Sequence, residues 1–228
     1  MKIVAISDTH GMQAQFRHVI PPCDVLVHAG DVTMHGEINE LYDISQWLDQ
    51  LPANRVIVIA GNHDKCFQTE RHLAEQTLLQ GSSKIIYLRD ESVVIDGLKF
   101  YGSPWQPAFC NWYFNLPRNG PELEACWDQI PDDTDVLITH GPPMGILDKN
   151  YWGEHCGCER MLPRVYAVGP KVHIFGHIHH GYGKMLERTN VKHLLFVNAA
   201  TANEKYELLN EPIVIDGEKR KPQGLPCG

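Results

Sequence analysis

Short apolar runs of five or six residues punctuate the chain, and most are closed by a polar turn containing glycine. Runs rich in Val, Ile and Leu cover residues 2–7, 24–28, 55–60, 135–139 and 171–175, and their length and β-branched content predict buried strands. Further strands are predicted at 84–88, 92–95, 98–101, 193–198 and 212–215. Between them the spacing changes. Residues 37–51 carry Ile38, Leu41, Ile44, Trp47, Leu48 and Leu51 three or four apart, the stripe of an amphipathic helix. Residues 69–79, 121–129 and 158–168 predict further helices, and Pro121 suits a first helical position. Strands alternating with helices predict an α/β domain, and hairpin-like stretches at 84–101 and 193–215 predict a partly antiparallel sheet. Two sheets packed face to face between helices fit this pattern. No linker-like stretch or solenoid repeat divides the chain, so residues 1–228 read as a single domain.

Five of the runs end alike. They are followed by Asp8-Thr9-His10, Ala29-Gly30-Asp31, Gly61-Asn62-His63-Asp64, His140-Gly141-Pro142-Pro143 and Gly176-His177-Ile178-His179. In open α/β sheets the carboxyl ends of strands line one edge, where ligands bind. The glycines let the backbone turn sharply and approach a ligand. Alone, Asp8-x-His10 or Gly30-Asp31 is an ordinary turn; five in order, each behind its own strand, carry the functional reading. A set of two carboxylates, one amide and four imidazoles exceeds the four ligands of a tetrahedral zinc. It suffices for two metals when one carboxylate bridges. Mixed N/O donors without thiolate suit Mn, Fe, Zn or Ni better than Ca or a soft metal. Two metals ~3.5–4 Å apart are the standard device for phosphoester hydrolysis, activating a bridging water for in-line attack on phosphorus.

Composition narrows the partners. Apolar residues make up 43% and charged residues 21%, which is globular usage. The charge sum of 20 − 28 = −8 repels polyanions, so no duplex nucleic acid is expected. No run approaches the ~18 apolar residues of a membrane span, and the start lacks a secretory signal, so no membrane partner is expected. Seven cysteines read as reduced thiols and place the protein in the cytoplasm. There is no Gly-x-Ser-x-Gly elbow, P-loop or Gly-x-Gly-x-x-Gly fingerprint, which disfavours serine hydrolase, P-loop and dinucleotide chemistry.

The motifs HAGDVT, VIAGNHD, YGSPWQP, FNLPRNG, THGPP, GCERML and GHIHHGYG extend to about residue 183. With the five strand endings they make the sequence resemble a calcineurin-like metallophosphoesterase. Within that superfamily it resembles the metallophosphoesterase-domain-containing and class III cyclic nucleotide phosphodiesterase subfamily. The resemblance implies an α/β fold of four layers, α/β/β/α, with two mixed β-sheets packed face to face and flanked by helices. It implies two divalent transition-metal ions, Mn²⁺ first, with Fe, Zn or Ni as alternatives. Asp8, His10 and His179 would hold one ion, Asn62, His140 and His177 the other, and Asp31 would bridge. His63 would stand by the scissile phosphate without binding metal, and Asp64 would orient it by a hydrogen bond. Met34 occupies a position that is acidic in many phosphatases of the superfamily, leaving His63 without one usual partner. His177, lost in one branch of the subfamily, is kept here, which argues for a competent enzyme.

The activity so implied is a metal-dependent phosphodiesterase acting on small phosphoesters such as cyclic nucleotides, by attack of a metal-bridging hydroxide. A phosphomonoesterase is the enzymatic alternative, and a non-catalytic metal-binding interaction module is the rival from another class. A homodimer stays open. The aromatic segment 103–118 is either a loop over the core or a wall of the substrate pocket. In the second reading Trp105 or Trp112 stacks on a base, while Asn111 or Arg118 meets a phosphate oxygen. His180 is a substrate contact or a solvated turn. Cys156-x-Cys158 reads as a loop with free thiols rather than a metal or redox motif, and the resemblance places it near the active-site mouth.

Overall fold

The computed structural model describes residues 1–16, 18–188 and 193–217; the polar, Gly- and Pro-containing stretch 218–228 lies outside them. In chain order the strands are β1 (Lys2–Ile6), β2 (Cys23–His28), β3 (Ala53–Val58), β4 (Ile85–Tyr87), β5 (Glu91–Ile95), β6 (Leu98–Ser103), β7 (Gln106–Pro107), β8 (Asn115–Leu116), β9 (Val136–Thr139), β10 (Val172–Phe175), β11 (Gly183–Arg188), β12 (His193–Asn198) and β13 (Ile213–Asp216). The α-helices are α1 (Glu40–Gln50), α2 (Lys65–Thr69), α3 (Arg71–Leu79), α4 (Pro121–Asp128) and α5 (Met161–Val168).

One sheet has the order β13-β1-β2-β3-β4, with β1 to β4 parallel and β13 antiparallel on the edge. The other has the order β11-β12-β10-β9-β6-β5, parallel at its centre and antiparallel at both edges. Successive residues of a strand face opposite ways, and here both faces are covered. Ile3, Ala5, Val25, Val27 and Ile57 of the first sheet pack against Phe100, Val136, Ile138, Ile174 and Val197 of the second. The alternate residues Val4, Ile6, Leu26 and Val56 pack under Leu41, Ile44 and Leu48 of α1 and Ala74 and Leu78 of α3. On the far side Leu137, Phe175 and Phe196 meet Leu123 and Trp127 of α4 and Met161 and Val165 of α5. This is the expected α/β/β/α sandwich. Burial on both faces is why its central strands read as unbroken apolar runs.

The elements differ from expectation in several places. The helix expected from residue 37 begins at Glu40, whose carboxylate accepts hydrogen bonds from the Met34 and Glu37 amides and holds the preceding turn out of the helix. The helix expected over 69–79 begins at Arg71 as α3, and Thr69 instead closes a separate short helix, α2, the two meeting at Glu70. The 193–215 stretch is not a hairpin: β12 pairs with β10 and β11, while β13 crosses to β1 in the other sheet. β11 escaped the sequence reading because this edge strand alternates half-buried and exposed residues and offers no apolar run.

Candidate metal centre and substrate cleft

The parallel strands β1, β2, β3, β9 and β10 deliver their closing turns to one edge of the sandwich. Four residues in those turns adopt left-handed backbone conformations: Asp8 (φ 56°), His10 (φ 49°), Asp31 (φ 53°) and His177 (φ 65°). For a residue with a Cβ this costs roughly 1–2 kcal/mol, and such strain gathers at functional sites. Hydrogen bonds between turns hold it in place. The Asp8 amide donates to Gly30 O and the His10 amide to Asp31 O, each at 3.0 Å. The His177 amide donates to Asp8 Oδ2 at 3.0 Å and the His63 amide to Asp31 Oδ1 at 2.8 Å. Gly61 and Gly176 are required by close approach: a Cβ on Gly61 would strike Asp31 Oδ1, and one on Gly176 would strike Asp8 Oδ2.

Three groups of side chains bring their donor atoms within 4.8 Å of one another: Asp8, His10 and His179; Asp31, His140 and His177; and His10, Asp31 and His63. His10 Nε2 is 3.4 Å from His179 Nε2, which is 3.6 Å from Asp8 Oδ1. His140 Nε2 lies 3.0 Å from Asn62 Oδ1 and 3.4 Å from Asp31 Oδ1. All seven expected ligands, and His63, therefore share one site.

The tautomers follow from the outer partners, because a carbonyl only accepts. His140 donates Nδ1–H to Ala29 O at 2.9 Å, and His179 donates Nδ1–H to Asn203 O at 3.0 Å. Their Nε2 atoms thus turn inward, the arrangement in which a second hydrogen bond orients a metal-binding imidazole. Around His140 Nε2 stand two oxygens that can offer only lone pairs to it. Such a cluster is stable only with a cation inside it, a proton or a metal, so the donor set fits a transition-metal ion.

Electrostatics agree. Burial works against a charged His140, yet Asp31, Asp8 and the Ala29 carbonyl together push it up to about 9. Burial pushes the Asp8 and Asp31 carboxyls up, but the surrounding imidazoles, His179 and His140 foremost, hold both well below the usual carboxylate range. Burial brings His10 down to about 4 and His177 to about 3, so both are neutral imidazoles.

Asp64 plays a different part from the one expected. It is fully buried, and its carboxylate accepts from the Val32, Thr33 and Gly61 amides and the Thr33 hydroxyl. It therefore ties the turn after β2 to the turn after β3. Burial and then Asp31 push it up to about 6. His63 is instead oriented by the Met34 main-chain carbonyl, to which it donates Nδ1–H at 2.8 Å. The lost acidic side chain at position 34 leaves that contact intact.

A cleft of about 640 Å³ rises from this floor. Trp112 stacks on His63 with ring centroids 4.2 Å apart, and Phe109 stands edge-on to His177 at 6.1 Å. Arg118 lines the cleft but is committed as a strut, donating to Gly157 O at 2.7 Å and Cys156 O at 3.2 Å and pairing with Glu159. Trp105, Asn111 and His180 fall outside the lining. Trp105 packs against Phe114 and donates Nε1–H to Asp90 at 2.8 Å, so it braces the core. Asn111 is exposed, and His180 stands edge-on to Tyr151. The sequence reading missed Trp152, Glu204 and Tyr206, all of which line the cleft. The Tyr206 ring is edge-on to His10 at 4.8 Å and to His179 at 5.6 Å. No local pattern marks it; it arrives through the turn after β12.

Among the described residues, no helix is long and apolar enough to cross a membrane. Metallophosphoesterase domain-containing protein 1 of Homo sapiens is 40% identical over 242 residues, covering 94% of this chain and 70% of that protein. The UPF0046 protein K07C11.7 of Caenorhabditis elegans is 38% identical over 226 residues, covering 94% of this chain and 74% of its own length. The fold is shared with the crystal structure of phosphopantetheinyl hydrolase (PptH) from Mycobacterium tuberculosis, at a TM-score of 0.57 and 16% identity over 99% of this chain and 98% of that one. Residues 1–181, which carry all five strand-end turns, match the family described as calcineurin-like phosphoesterase. The chain belongs to the calcineurin-like phosphoesterase family.

Proposed function

We propose that this chain is a two-metal phosphodiesterase for small diesters, with a cyclic nucleotide as the first substrate to try and Mn²⁺ as the first metal. The observation that carries the reading is that Asp31 belongs both to the His140 and His177 group and to a group containing His10, with His63 beside it. In this reading Asp8, His10 and His179 would hold one cation, Asn62, His140 and His177 the other, and Asp31 would be shared between them. When bound, the pair supplies Lewis acidity to phosphoryl oxygens and lowers the pKa of water. His63, its Nδ1–H spent on Met34 O, turns Nε2 to the cleft. As the imidazolium it donates its Nε2 proton to the departing ester oxygen, and Trp112 holds the ring in place. The chain acts as one domain, and free thiols at all six described cysteines favour the cytoplasm.

The charge of the walls supports a diester. Arg118 is the one lysine or arginine among the described lining residues, and Glu159 neutralises it. Glu154 and Glu204 add negative charge. A monoanionic diester suits such a cleft better than a dianionic monoester or a polyphosphate.

The test is a panel of a chromogenic phosphodiester, the matching monoester, and 2′,3′- and 3′,5′-cyclic nucleotides. The protein is stripped with chelator and then restored with Mn²⁺. Turnover of diesters that vanishes on stripping and returns with metal is expected. Turnover of the monoester alone makes the protein a phosphatase, and no turnover with two metals bound overturns the enzymatic reading.

A further inference from the structure

Behind the cleft wall lies an Asp–His pair outside the metal set. Residues 141–158 leave β9 and fold into a lobe before α5. The lobe is closed by pairing of Pro143 with Cys158 and of Lys149 with His155. Arg118, from the 103–118 segment, pins it through the Cys156 and Gly157 carbonyls. Gly157 is packed so tightly that a Cβ there would stand 2.5 Å from Pro143 O. At the centre of the lobe Asp148 is 1% exposed, and it accepts hydrogen bonds from the Gly145 amide at 2.9 Å and the Gly157 amide at 3.1 Å. Its remaining oxygen, Oδ1, lies 2.6 Å from His155 Nδ1.

That contact decides the chemistry of His155. A buried carboxylate held by two amides only accepts, so His155 Nδ1 is the donor. The side chain is 45% exposed and lines the cleft, and with its Nδ1 edge turned to Asp148 it presents Nε2 to the space. Phe109, Trp112 and Trp152 line the same cleft. A flat apolar surface and one oriented hydrogen-bonding nitrogen recognise a planar group that has a polar edge.

We propose that His155 is a specificity-determining residue. Its Nε2 meets the hydrogen-bonding edge of a planar organic group on the phosphodiester, while Phe109, Trp112 and Trp152 supply the apolar surface. Asp148 is its positioning residue. The proposal rests on the phosphodiesterase reading and adds to it the part of the substrate that the walls select.

The experiment compares a nucleoside 2′,3′-cyclic phosphate, which has the polar edge, with 4-nitrophenyl phenylphosphonate, whose phenyl group lacks one. The metal-restored full chain is used as wild type, His155→Ala and His155→Gln. Loss of one hydrogen bond to the substrate lowers the ratio of kcat/KM values, nucleotide over phosphonate, about tenfold in His155→Ala. Gln, which keeps a hydrogen-bonding end, restores part of that ratio. In the His155→Ala background Asp148→Asn shifts the ratio no further. If His155 merely neutralised Asp148, the variants would lower Tm and leave the ratio within twofold of wild type, and that result overturns the proposal. Should wild type turn over neither probe, the phosphodiesterase reading falls. The calorimetric binding ratio of AMP to phenyl phosphate then decides on His155: a drop of about tenfold in His155→Ala upholds the contact, and an unchanged ratio removes it.

Discussion

On the cleft floor Asp8, Asp31, Asn62 and His140 are each no more than 3% exposed and follow closely on strand ends. On the walls Trp112, Trp152, His155 and Tyr206 are exposed and ride on loops. Floor residues are held by main-chain hydrogen bonds between neighbouring turns, at the cost of left-handed backbone at Asp8, His10, Asp31 and His177. Wall residues are held by side chains reaching across loops, as Arg118 reaches to Gly157 and Asp148 to His155. A buried floor ringed by fixed donors tolerates no change of charge. An open wall can change its chemistry while the floor keeps its shape. On the proposed function, the floor sets the reaction class and the walls set the substrate.

The hardest test of this division is Asp31→Asn. It removes the one carboxylate set between both ligand groups and the charge that faces His140. Metal analysis is expected to show loss of both cations, with activity falling beyond the ~10²–10⁴ of a single acid–base group. Two fully occupied sites in this variant would break the assignment of the floor. Next in size is His63→Ala. Both metals stay, and kcat falls by roughly 10²–10⁴; an unchanged kcat would move His63 from the chemistry to the wall. The smallest effects come from a pair of tryptophans. Trp112→Ala raises KM for nucleotides about tenfold, because a stacked base is worth roughly 1–3 kcal/mol. Trp105→Ala instead costs roughly 3 kcal/mol of folding stability, read from denaturant midpoints, as a core truncation does. If both substitutions raised KM alike, the line drawn between core brace and cleft wall would be wrong.

Much of the floor was legible because its residues are contiguous with the strands that place them. Asp8-x-His10 and Gly176-His177-Ile178-His179 each declare a strand end and its donors within a few residues. The walls were legible only in part. Trp112 came out of an aromatic segment that also offered Trp105 and Asn111, and nothing local says which ring faces the cleft. Trp105 was claimed by Asp90 and Phe114, and Arg118 by carbonyls 38 and 39 residues away. Tyr206 carries no motif at all.

By itself the sequence determined the apolar runs that become buried strands, the polar turns behind them and the donor chemistry those turns carry. These are properties of adjacent residues, written in period and composition. Tertiary structure alone decided that β13 crosses to the first sheet, that His10 faces His179 across 169 residues, and that Met34 orients His63. The last case shows the physical reason. Every residue carries the same main-chain carbonyl, so only the folded backbone can say which one an imidazole meets.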